Sequence, residues 1–515
     1  MKPRRMAIVA VIISVTLTAG LLGSACTKEF RSGIVIAVKE MPARLDPVSA
    51  SSPSEENACE LIFDGLVNIA ANDSGTASPV LGLAESIIQD QSDRSLFRIT
   101  LRDVLWHDGR TLGSDDVTAS FAAYIDPANH SSRREYLLAL VASMVADGKR
   151  RVLVRFHEPI AEFRAWYVLA FKIVPRDFQS KASPVGTGPF RLQSRSEGEI
   201  VFAANKSCYR GAPASELLIL RHIASNRERV DALLKGKVDV IADTGPLDGS
   251  RLDGAGDVMV QSYMPHAFYT VAMNLRNPVL AKLEARVALV RAIDRSTLVP
   301  GLSDRAAGVE LNNGPFPNSL LTKVLPEYFH QGFPDRHGFD TAVAVRLATT
   351  SGLASKKLRM ILPTSWGEFG SRLSSGLVSQ FARASIIAEP LALEDEPYRS
   401  AISARDFDLA LVYHEGFDNL FSGISEFYRS GSPQNETGIS LPSLDKMLAR
   451  RDAAVEVSAW LSDTLALHDL ISGLVPYIPL FTIEKNLFYR GVQGILIASD
   501  NPYLSAERWS RAVRK

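Results

Sequence analysis

Residues 413–418 read Tyr-His-Glu-Gly-Phe-Asp. Two aromatic rings, an imidazole, two carboxylates and a glycine stand within six positions. The chemistry this set offers is recognition. The preceding run, 409–412 (LALV), fits a strand buried on both faces, as in a parallel sheet. In open α/β sheets the carboxyl edge of such strands faces the ligand crevice. The pattern alone is compatible with ligand contact and with a plain polar loop. If the strand continues through Tyr413, Glu415 shares its face and His414 takes the other. Gly416 can turn the chain and break this alternation before Asp418.

Catalytic constellations are missing from the sequence. His107 and Asp108 are adjacent, but Asp108-Gly109 is a tight-turn signal and no nucleophile motif accompanies them. We read His107 as a turn residue. The glycines of 185–192 (VGTGPFRL) lack both GxGxxG and GK[ST], and Pro189 removes a backbone donor. That stretch reads as a turn feeding a strand. There is no GxSxG, CxxC, HExxH or zinc spacing, and histidines 107, 266, 330, 337 and 414 are scattered. The expectation is a protein that is not an enzyme and holds no cofactor or metal. An exported Ser-His-Asp hydrolase is the rival reading.

The elements that must position residues 413–418 alternate. A strand at 358–362, a helix at 368–384, a strand at 386–393 and a short helix at 396–404 precede the 409–412 run. Phe369, Leu373, Leu377, Val378 and Phe381 recur at helical spacing in the longer helix. This is βαβ alternation, hence an α/β protein. Further strands are expected at 34–38, 96–101, 151–156, 217–223, 238–242 and 269–275. Helices are expected at 114–121, 226–234, 284–295 and 454–471. Residues 475–481 (VPYIPLF) read as an extended, proline-broken piece. No repeat or flexible linker appears, so the domains are interleaved rather than strung out.

The chain balances 57 basic against 57 acidic side chains, and its first 25 residues hold three of the bases and none of the acids. The remainder is slightly acidic, which argues against nucleic acid as a partner. Lys2, Arg4 and Arg5 precede an apolar run over 6–22, then Gly23-Ser24-Ala25-Cys26. This is the order of a secretory signal, 1–25, with an uncleaved membrane anchor as the other reading. An exported compartment permits a disulfide between Cys59 and Cys208; two buried thiols are the alternative.

Several segments, in order, resemble the dipeptide and oligopeptide class (family 5) of bacterial extracellular solute-binding proteins. They are ARLDP, ELIFDGLVNI, LGLAES, LWHDGRTLGSDDVTASF, PVGTGPFRL, NKSCYRGAP, ALLKGKVDV, YTVAMNL, LVRAIDRSTLV, NNGPFP, TGISLPSLDKML and VPYIPLF. The resemblance spans nearly the whole chain after residue 34. It implies a bilobal α/β fold of the periplasmic-binding-protein type (type II) with an additional inserted domain. On this sequence the first lobe is 27–60, 185–273 and 478–515, the inserted domain 61–184, and the second lobe 274–477. The chain then crosses between lobes near Asn274 and Tyr477.

The resemblance also implies a function: capture of a peptide or related small solute and delivery to ABC permease subunits, as a monomer. A non-peptide solute (metal chelate, sugar or opine) and a signalling lipoprotein are its alternatives. Gly23 to Cys26 resembles a lipobox, which implies a lipid on Cys26 and tethering outside the cytoplasmic membrane. Tyr413, His414, Glu415, Phe417 and Asp418 fall on the family's ligand segment, and Ser51 and Ser52 on the stretch that meets the ligand backbone. Gly416 stands where the family's Asp pairs with a peptide amino terminus. The amine is then read by Glu415 or Asp418, or the ligand lacks one.

Overall fold

The computed structural model describes residues 33–71, 77–179, 183–242, 252, 255–302, 308–317, 335–414, 423–497 and 501–512. The chain begins with β1 (Gly33–Val38), whose six residues are almost wholly buried. Helix α1 (Pro53–Ile62) follows, capped by Ser52 and carrying Pro53 in its first turn, where no backbone donor is needed. A hairpin, β2 (Val67–Ala71) and β3 (Ala77–Leu81), leads to an antiparallel four-stranded sheet. Its strands are β4 (Ala84–Gln89), β5 (Leu96–Leu101), β6 (Val141–Ala146) and β7 (Arg151–Phe156), in the order β4-β5-β7-β6. Between β5 and β6 lie α2 (Ser114–Ile125) and α3 (Arg134–Leu140). The acids of α2 occupy its first turn, and Asp116 accepts from the Gly113 amide. Helix α4 (Glu162–Val168) ends this segment.

The chain then returns to the sheet that β1 began. Strands β8 (Phe190–Arg195), β9 (Glu199–Ala204) and β10 (Leu217–His222) form a meander, and α5 (Asn226–Leu234) leads to β11 (Val240–Ile241) and β12 (Met259–Tyr263). β1 is central and pairs parallel with β10 and β11. The core under this sheet is continuous with that of the four-stranded sheet: Ile34, Phe97, Phe171, Phe202 and Trp509 belong to one buried cluster.

Strand β13 (Phe268–Met273) opens the second sheet. Where one helix was expected at 284–295 there are two, α6 (Leu283–Arg291) and α7 (Arg295–Leu298). Asp294 starts the second by accepting from the Ser296 amide, so a cap interrupts the run. Then come β14 (Val309–Leu311), α8 (Thr341–Ser351), β15 (Lys357–Pro363), α9 (Gly367–Arg383), β16 (Ile387–Leu393), α10 (Asp395–Ala404) and β17 (Leu409–His414). This is the expected alternation, and β15 pairs parallel with β16 and β17. Helix α9 buries Phe369, Leu373, Leu377 and Phe381. Helices α11 (Gly423–Tyr428), α12 (Pro442–Asp452) and α13 (Val457–Leu474) cover the opposite face. β18 (Tyr477–Ile483) completes the second sheet, order β14-β18-β13-β17-β15-β16, and β19 (Lys485–Tyr489) goes back to the first.

The crossings therefore differ from those expected at Asn274 and Tyr477. β13 and β18 hydrogen-bond to each other, and β13 also to β17. The chain changes sheets at 264–267 and at Glu484. Both strands are apolar on both faces, so their sequences carry no mark of which sheet receives them. β18 is also a continuous strand. Pro479 sits where its pairing with β13 shifts register, and β14 bonds only from Phe481 onward. A proline is tolerated at such an irregularity because no ladder bond needs its missing donor. Cys59 and Cys208 are both free and buried, not bridged, and burial pushes the Cys59 thiol far up, which keeps it protonated.

Candidate functional site

Tyr413 stands at the carboxyl end of β17, directly opposite Tyr269 of β13. The two rings lie 4.7 Å apart between centroids. Tyr269 also meets Phe369 at 4.8 Å, Trp366 at 5.2 Å and Phe481 at 5.6 Å. Five segments thus converge: the end of β17, the start of β13, the turn after β15, the first turn of α9 and the later part of β18. Tyr413, Tyr269 and Trp366 are half-buried, so part of this aromatic wall faces outward. Lys485, the first residue of β19, comes from the other sheet and places its Nζ 5.7 Å from the centroid of the Tyr413 ring. That is within cation–π range, a contact worth about 0.5–1 kcal/mol at an exposed site. The wall therefore stands where the lobes meet. The exposed parts of these rings can meet an apolar ligand group.

His414 points the other way, as alternation along a strand requires. It is only 2% exposed, and its ring stacks on Phe427 at 4.4 Å and meets Phe268 edge-on at 5.6 Å. Its Nε2 bonds Glu436 Oε2 at 2.8 Å, and the Tyr477 hydroxyl donates to the same oxygen at 3.2 Å. Burial, with the Glu436 charge second, pushes the Tyr477 phenol well above its ordinary value. The expectation that His414 contacts ligand is corrected by this placement. Its side chain is committed to the second lobe's core.

Ser51 and Ser52 are engaged locally. Ser52 Oγ accepts from the Glu55 amide to cap α1, and the Ser51 amide donates to Glu55 Oε2 at 2.9 Å. Arg44 donates to Ser51 Oγ at 3.3 Å, and Ser51 remains exposed. Glu415, Phe417, Asp418 and Cys26 lie outside the described residues. His107 is a structural group, as its turn context suggested. Its Nε2 bonds the Gly188 carbonyl at 3.0 Å, its Nδ1 accepts from the Gly186 amide, and burial lowers its pKa. The two glycines allow the backbone to approach α1: a Cβ on Gly186 would lie 1.8 Å from the Ile62 carbonyl oxygen. The stretch is a packing turn, not a phosphate cradle.

The sequence does not single out Tyr269, Trp366, Phe481 and Lys485 as members of this wall, nor Glu436 as the partner of His414. For the three aromatics the local signal is a ring in a strand or in a strand-to-helix turn; Lys485 and Glu436 have none. Among the described residues, no group of three or more His, Cys, Asp or Glu is placed to hold a metal, and no helix is long and apolar enough to cross a membrane.

A family model described as bacterial extracellular solute-binding proteins, family 5 Middle, matches residues 78–435. That is well over half of the sequence. The chain belongs to this family. Probable di/tripeptide-binding protein 5 of Pseudomonas aeruginosa (strain UCBPP-PA14) is 25% identical over 329 residues, 57% of this chain and 61% of that protein. The match thus spans about six-tenths of that relative. The periplasmic murein peptide-binding protein MppA of Escherichia coli (strain K12) is 22% identical over 518 residues, 91% of this chain and 93% of that one. Among solved structures, the ABC transporter substrate binding protein CtaP of Listeria monocytogenes superposes with a TM-score of 0.82 at 16% identity, covering 93% of this chain and 99% of that chain. The family 5 protein is thus a bilobal, type II binding-protein fold with an additional inserted domain.

Proposed function

We propose that this family 5 protein is the substrate-binding subunit of an ABC importer. It captures short peptides between its lobes, without catalysis, and hands them as a monomer to membrane permease subunits. The observation that carries this reading is the aromatic wall of Tyr413, Tyr269 and Trp366 at the lobe crossing, with Lys485 of the opposite lobe over Tyr413. Such a wall suits an apolar or aromatic peptide side chain. The relatives named as di/tripeptide-binding and murein peptide-binding support the peptide class.

Titration calorimetry with Ala-Phe-Ala, triglycine and glucose tests it. Ala-Phe-Ala should bind, more tightly than triglycine, and glucose should not. A ligand that binds only the native state raises stability by about 2.7 kcal/mol at a hundredfold excess over Kd, so thermal shift gives an independent readout. Binding of glucose with no peptide binding overturns the proposal. The ligand's amino group falls to Glu415 or Asp418, since Gly416 carries no charge. Glu415→Gln should then weaken Ala-Phe-Ala binding more than Asp418→Asn, by about ten- to a hundredfold.

The protein acts outside the cytoplasmic membrane, tethered by a lipid on Cys26. Cys26→Ala should release it from the membrane fraction. Retention after a high-salt wash would mean that residues 6–22 are themselves the anchor.

A further inference from the structure

Helix α4 of the inserted domain has two apolar faces. Ala165 and Val168 pack into the core shared with the first sheet. Phe163 and Tyr167, one helical turn apart, pack instead against the second lobe's cluster of Trp460, Leu461 and Phe427. The Phe163 ring meets Trp460 of α13 edge-on at 6.3 Å. Nearby, Arg94, in the turn between β4 and β5, donates to Glu456 at 2.6 Å. Glu456 is the residue that precedes α13. The inserted domain therefore touches the second lobe at a place separate from the two crossing segments.

Beside that contact lies buried charge. Arg451 is fully buried, its guanidinium 4.9 Å over the Trp460 ring and bonded to Thr464 and Asp452. Arg164 of α4 is itself only 8% exposed, and its Nε has no hydrogen-bond partner among the described residues. Burial first, with the Arg164 charge among the further causes, pulls the Arg451 guanidinium down to about 10. The Arg94–Glu456 pair is largely exposed, a setting where ion pairs contribute little. The packing of Phe163 and Tyr167 and one surface pair thus make up the contact. A contact made by so few groups is easily broken.

We propose that α4 and the amino-terminal end of α13 form a latch that holds the two lobes closed. Lobes joined by two short crossings are free to turn about them as a hinge. A contact away from the hinge exists only when they are shut, so its strength sets the closed fraction before ligand arrives. Apparent affinity scales with that fraction. The inserted domain then acts as a clasp on the second lobe and tunes retention of whatever solute is held. This inference does not rest on peptides being that solute.

Small-angle X-ray scattering of the purified protein without added ligand tests it. Phe163→Lys replaces the ring that meets Trp460 with a cation, and Glu456→Lys sets a cation opposite Arg94. Neither side chain belongs to the core of its own lobe, and far-UV circular dichroism checks that both variants fold. Both should show a larger radius of gyration than the unmodified protein. Glu456→Lys combined with Arg94→Glu, which restores opposite charges, should return towards the compact value. Scattering from folded Phe163→Lys and Glu456→Lys that superimposes on that of the unmodified protein overturns the latch.

Discussion

Tyr413 and Lys485 belong to strands of different sheets, yet the lysine Nζ stands 5.7 Å from the centre of the tyrosine ring. Only Glu484 separates Lys485 from β18, so the second crossing delivers this cation to the end of β17. The crossing and the candidate site are thus one feature. A change in the angle between lobes must move the lysine relative to the ring.

Tyr413→Ala removes the ring that joins Tyr269 to Lys485. Aromatic pairs contribute about 0.5–1.5 kcal/mol beyond their burial, so stability should fall by about 1–2 kcal/mol. Affinity for Ala-Phe-Ala should drop at least about tenfold, the loss of one stacking contact. Tyr413→Phe should keep both. Urea melts and calorimetry on the two variants decide between the ring and its hydroxyl.

Gly186→Ala probes the packing turn. Its Cβ would sit 1.8 Å from the Ile62 carbonyl oxygen, and backbone cannot yield as a flexible side chain can. Overpacking of this kind costs about 1–3 kcal/mol. Gly211→Ala is the contrast: nothing stands within 4 Å, but φ is +103°, so any loss there comes from backbone strain alone. Chemical denaturation should rank Gly186→Ala as the more damaging.

The alternation from β15 to β17 was readable because its apolar spacing changes period from strand to helix and back. Phe369, Leu373, Leu377 and Phe381 announce α9 by themselves. The sheet membership of β13 and β18 was not readable. Both are apolar runs, and their partners are set by contacts far apart in sequence. The site followed the same division. Tyr413 stands out in the sequence because it ends a buried strand. Tyr269, Trp366, Phe481 and Lys485 are single residues in four other places, and only tertiary pairing brings them to it. Ser52 drew notice by its position and proved to be a helix cap. The pairing of Glu436 with His414 left no trace, since neither neighbourhood has a periodic signal.

His468 supplies a pH dependence. It is buried, and burial lowers its pKa from 6.5 to about 4. Above pH 6.5 the imidazole is neutral in folded and unfolded chains, and stability is unaffected. Between 6.5 and 4 the unfolded chain takes up a proton that the folded one refuses. Stability therefore falls as pH drops through this window, by at most about 3 kcal/mol from this group, and levels off below it. His107 and His337 are shifted in the same direction and steepen the fall. Melting temperature followed from pH 7 to 4 should decline, and His468→Gln should flatten part of the decline.

Glu436 offers the last test, because it separates folding from binding. Its Oε2 accepts from both His414 and Tyr477, inside the second lobe. Glu436→Gln keeps the shape and removes the charge, so it should cost about 1.5–3 kcal/mol, the range of hydrogen bonds to charged groups. Tyr477→Phe should cost about 1 kcal/mol. Together they should cost less than the sum, since the second change removes a bond the first has already weakened. His414→Asn should lower the melting temperature for the same reason. Its Kd for Ala-Phe-Ala should stay within about threefold, because the imidazole faces away from Tyr413 and its partners. A variant that melts like the unmodified protein yet loses affinity tenfold would place His414 in the binding site instead.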